Sequence, residues 1–160
     1  MEYSEIILEM LTRIKKLEDE VAILKQSAVT TPYDEPSPAT KQKMTEEKIK
    51  LCYEYGKEAA NNPSVTPWAL AQSLAKKHNI NKSSAFMYIC AIKSMLEGEE
   101  FKRTINSKAI RIYFDAILTD YGKEGLKKAL HATELHIKYR KSFNHNVVSL
   151  EKLCDEFKQK

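Results

Sequence analysis

The nearest approach to a metal-like cluster in the sequence is HATELH, in which His131, Glu134 and His136 lie close together. On a helix His131 and Glu134 share a face. His136 lies five positions after His131 and points elsewhere, so no metal site is expected. The cysteines, Cys52, Cys90 and Cys154, stand far apart within apolar patterns. Without a CxxC pair they fit neither a disulfide framework nor a zinc knuckle, and are expected as buried reduced thiols of a cytoplasmic protein. No GxxxxGK, GxGxxG, GxSxG or HExxH occurs. The sequence therefore implies no cofactor and no catalytic residues, and an enzyme is not expected.

What remains is charge. Residues 1–42 hold five Lys/Arg against eight Asp/Glu, a net of −3, whereas residues 43–160 hold 21 against 14, a net of +7. That asymmetry favours an anionic partner for the body of the chain. The cations gather in two places. Lys76, Lys77 and His78 are followed closely by Lys82, Ser83 and Ser84; further on, ten Lys/Arg face four acids between Lys102 and His145. In that second region Lys127, His131, Lys138 and Lys141 lie on one side of a helical pattern, opposite the apolar-side stripe of Leu126, Leu130, Thr133 and Ile137. Both groups suit phosphates. A solvated helix face would carry the same lysines.

The elements that must position these residues read as helices throughout. Residues 44–160 are expected to form a basic all-α domain of about five to six helices. Thr45 with Glu46 and Glu47 opens the first, which stops at Asn61, Asn62 and Pro63. Thr66 caps the second, with Pro67 at its first position and Val65 able to staple onto Leu70. The third starts near Asn81 or Ser83 and ends before Gly98. A fourth runs from Asn106 or Ser107 to about Tyr121, and a fifth from about 123 to 142. The last follows Ser149, with Leu150, Leu153, Cys154 and Phe157 inward. The AIRIYF run, residues 109–114, has strand-like composition but lies in helical context. No apolar run is long enough to span a membrane, and no signal peptide is expected.

Ahead of this body, residues 1–26 carry a heptad pattern. Ile7, Ile14 and Val21 take position a, and Tyr3, Met10, Leu17 and Leu24 take position d. β-Branched residues at a with mostly leucine at d favour a parallel two-stranded coiled coil, hence a homodimer. Arg13 would face Glu18 of the second strand, and Glu20 would face Lys25. Ile6 and Leu11 widen the seam, which keeps a trimer or tetramer open. The coil would span only about 33 Å, and a single amphipathic helix docked on its own body is the competing reading. Residues 27–43, with three prolines and several Ser/Thr, read as a flexible tether.

Residues 66–92 resemble the helix-turn-helix motif of DNA-binding regulators. Ala71 and Leu74 correspond to packing residues of the first helix, Ile80 to the plug of the turn, and Ala85 and Ile89 to the residues that seat the second helix. The resemblance implies that Lys82, Ser83, Ser84 and Met87, with Tyr88, face a groove, while Lys76, Lys77 and His78 touch phosphates. The turn lacks the usual glycine, so Asn79 or Asn81 must supply any left-handed residue. The second helix is also apolar on all sides, which leaves only its first turn free to read bases. The expected function is double-stranded DNA binding by a coiled-coil oligomer, in transcription regulation, partition or packaging. The alternative is a protein-interaction module or inhibitor that docks a partner on the helical domain.

Overall fold

The computed structural model describes residue 7, residues 9–19 and residues 43–160, and every regular element among them is a helix. The chain divides into two units, over residues 1–40 and 41–160. In the first, residues 9–19 form helix α1, and Ile7 is helical too. Ile7, Met10, Leu11, Ile14 and Leu17 are all exposed there. Tyr3, Val21 and Leu24 of the expected seam, and the expected tether up to residue 42, lie outside the described residues.

The second unit holds α2 (Glu46–Asn61), α3 (Pro67–His78), α4 (Lys82–Glu97), α5 (Ser107–Lys141) and α6 (Val148–Lys158). Short polar side chains start four of them by taking up an orphan amide. Thr45 accepts from the Lys48 N–H at 3.4 Å and Thr66 from Ala69 at 3.2 Å. Asn81 accepts from Ser84 at 3.0 Å and Asn106 from Ala109 at 2.7 Å. Gly98 ends α4 in the left-handed conformation, with φ 77°. The AIRIYF run is helical, inside α5.

α5 is in effect two helices. Gly122 interrupts it with φ 64° and ψ −162°, a conformation open essentially to glycine alone. α6 packs against both halves. Phe157 meets Phe114 edge-on at 5.1 Å, and Arg111 grips Glu156 with two 2.6 Å hydrogen bonds, all before the break. Beyond the break, Lys158 reaches Glu134 at 2.7 Å and Glu151 reaches Lys141 at 2.5 Å.

α4 is the central helix, packed against α2, α3 and α5. Ala85, Tyr88, Ile89, Ala91, Ile92 and Met95 are buried along it. The approach of α2 is unusually close: a Cβ placed on Gly56 would lie 2.4 Å from the Ile92 Cβ. Leu126, Leu130, Thr133 and Ile137 are buried, as the stripe predicts, and so are Leu150, Leu153, Cys154 and Phe157.

Candidate nucleic-acid interface

Three residues, Asn79, Ile80 and Asn81, connect α3 to α4. Asn79 takes the left-handed conformation (φ 50°, ψ 52°) that lets α3 end without glycine. Its carbonyl accepts a hydrogen bond from the Lys48 ammonium of α2 at 3.2 Å. Ile80 is buried and plugs the corner, while Asn81 caps α4. The turn is thus fixed from both sides and from beneath.

This corner presents the expected cations. Lys76, Lys77 and His78 are exposed at the end of α3, and Lys82 and Ser83 are exposed at the start of α4. Ser84 and Met87 are half-buried. Along α4 only Lys82, Ser83 and Glu97 are fully exposed, because three neighbouring helices occupy the rest of its surface. No acidic residue occurs between Glu58 and Glu97 in the sequence. Among the described residues, no carboxylate pairs with Lys76, Lys77 or Lys82, whereas Lys93 is paired with Glu97 at 2.5 Å. The corner therefore carries lysines that form no ion pair with a carboxylate among the described residues.

Tyr88 does not belong to this surface, contrary to what the helix-turn-helix resemblance implies. It is 5% exposed, its hydroxyl accepts from the Asn106 side-chain amide at 3.0 Å, and its ring packs edge-on to Tyr113. Burial holds its phenol above the usual range. The reason is tertiary: α5 starts beside this face of α4, and nothing local in the sequence signals it.

Trp68 is the corner residue that sequence reasoning missed. At 43% exposed it lies edge-on to Phe86 at 5.3 Å, and the Lys82 ammonium sits 4.8 Å from its ring centroid. An aromatic ring thus covers the approach to the one open turn of α4 and holds its lysine in place. A large aromatic residue just inside a Thr-Pro helix start was the available signal.

The second cationic group is dispersed by comparison. Lys127, Lys138 and Lys141 are exposed, but Lys127 pairs with Glu124 at 2.6 Å and Lys141 with Glu151. Lys138 has no such partner among the described residues. His131 is exposed, Glu134 is engaged by Lys158, and His136 is fully buried, so the three groups of HATELH face different surroundings. All three cysteines are free. Burial pushes the Cys52 thiol up to about 12 and Cys154 to about 11, and raises Cys90 as well, so none supplies a thiolate at neutral pH. No family model, curated protein or solved structure matches the chain, which leaves the geometry of this corner as the basis for any function.

Proposed function

We propose that the body binds double-stranded nucleic acid, most simply DNA, through the α3–α4 corner, and that α1 joins copies of the chain through its heptad seam. The observation that carries this reading is the exposed charge of Lys76, Lys77 and Lys82, none paired with a carboxylate among the described residues, around a rigid three-residue turn. Helix-turn-helix readers use the same layout, with a tight turn, a buried plug and an open first turn of the second helix. Lysines and serine there contact phosphates and base edges. Because so little of α4 is open, phosphate contacts supply most of the affinity and base contacts little of the selectivity.

The exposed apolar stripe of Ile7, Met10, Ile14 and Leu17 supports the second half of the reading, since an isolated helix rarely leaves such a stripe in water. It supports equally a protein partner in place of a second copy, which is the alternative function.

Titration of labelled duplex DNA across a salt series tests the proposal. The logarithm of the association constant should fall linearly with the logarithm of salt, with a slope near −0.9 for each phosphate contacted. Lys82→Ala combined with Ser83→Ala should weaken binding and lower that slope by about one, while thermal unfolding stays nearly unchanged. Absence of binding at low salt would remove the reading and turn attention to protein partners.

A further inference from the structure

The most exposed large apolar side chain of the second unit is Phe143, at 60%, on the turn between α5 and α6. One exposed phenylalanine needs no explanation by itself. Here, however, the turn is built to hold it out. The Phe143 N–H donates to the Arg140 carbonyl at 3.1 Å and Asn144 to Lys141 at 3.0 Å. His145 returns to the Arg140 carbonyl at 3.2 Å, and the Ser142 hydroxyl donates to Tyr139 at 2.6 Å. Asn144 takes the left-handed conformation, φ 56°, that lets the chain reverse after Phe143. A second ring supports the first: Tyr139 meets Phe143 at 5.2 Å with planes at 65°, and the Lys102 ammonium lies 5.7 Å from the Tyr139 centroid. Lys138 and Arg140 stand in the last turn of α5, and neither they nor Lys102 pair with a carboxylate among the described residues.

We infer that this turn is a second nucleic-acid contact, distinct from the α3–α4 corner, in which Phe143 stacks on an unpaired base while Lys102, Lys138 and Arg140 hold the flanking phosphates. The inference rests on the nucleic-acid reading of the body. A rigid ring beside several unpaired cations is the arrangement that tracks single strands, where the π-face gives sequence-tolerant stacking and the cations follow the backbone. A base inside a duplex has no free face, so the partner must be a single strand, a frayed end or a junction.

The test compares a blunt duplex with the same duplex carrying a poly-dT tail, using the full-length chain. The tailed duplex should bind more tightly than the blunt one. Phe143→Ala should weaken tailed binding about tenfold and leave blunt binding unchanged. Phe143→Tyr, which keeps a ring, should retain the tail effect, and Phe143→Leu, apolar without a ring, should lose it. Because the side chain is exposed, all variants should melt with the wild type. Equal tailed binding by wild type, Ala and Leu variants would overturn the inference and leave the duplex reading intact. Tailed binding without blunt binding would do the reverse, and binding of neither probe would remove both. Phosphatidylserine vesicles form the last arm: capture that Phe143→Ala abolishes, with tailed binding unaffected, would assign the turn to lipid and overturn the proposal.

Discussion

Among the described residues, His136 is the buried polar side chain with an unmet need. Its Nδ1 lies 2.5 Å from the Phe101 carbonyl and its ring stacks on Phe101 at 4.3 Å, while Nε2 is buried without a partner. A carbonyl only accepts, so the proton sits on Nδ1 and Nε2 is bare. Charging the ring would place a new N–H among apolar atoms. Burial accordingly lowers its pKa below the ordinary 6.5, outweighing the Phe101 hydrogen bond that raises it. The sign follows: stability from this group is complete above pH about 6.5, and is lost as pH falls below it, because only the unfolded chain takes the proton easily. Urea midpoints should drop between pH 7 and pH 5, above the range where Glu46, Asp120 and Glu156, held low by Lys50, Lys57 and Arg111, begin to contribute. His136→Leu should flatten that drop whatever it does to stability at neutral pH; an unchanged slope would clear His136 of the effect. At this scale the sequence is informative about exposed residues and weak on buried ones. Helical spacing alone separated His136 from His131. The helix-turn-helix resemblance misplaced Tyr88, and Trp68 was passed over, because Asn106 and Phe86, which position those rings, are neighbours through the fold.

Elements were more legible than residues because their signals are local. Thr45, Thr66 and Asn106 cap helices whose first residues lie within one turn of them, and Asn79 and Gly98 bring their own left-handed preference. The glycine at 122 marks a break that the apolar period alone would bridge. How the helices cross was not readable, since it depends on which small residue meets which large one. Gly56 against Ile92 shows the point. Gly56→Ala should destabilise the body by about 1–3 kcal/mol, because its new methyl would overlap the Ile92 side chain, and α2 and α4 are held by other contacts along their lengths. Combining it with Ile92→Ala should return only part of that loss in a double-mutant cycle on urea unfolding, because alanine removes the two Cγ atoms from the overlap but keeps the Ile92 Cβ, the nearest atom. Additive effects would mean that another neighbour resists the methyl.

At the scale of the whole molecule, the proposal couples two modest surfaces. The cationic corner has few residues to offer, and α1 exposes apolar ones at Ile7, Met10, Ile14 and Leu17. Joining copies would raise the effective concentration of a second corner once the first is bound. Ile14→Asp should therefore give a folded body that sediments as a monomer and binds duplex DNA at least about tenfold more weakly. A wild-type chain that already sediments as a monomer would end the coiled-coil reading and leave the helical body to act alone. Fold class was legible at this scale because the helical period repeats over most of the chain. Function was less so, because a modest excess of lysine fits many roles until the pairing of each is known.

The packing of Trp68 has a practical consequence. It is the one tryptophan of the chain, and it stands at the proposed contact with a lysine ammonium on its face. Indole emission responds to both polarity and nearby charge, so the molecule carries its own optical reporter at that corner. Any ligand that draws Lys82 away or dries the ring would announce itself in the emission spectrum, with no dye attached and no residue replaced.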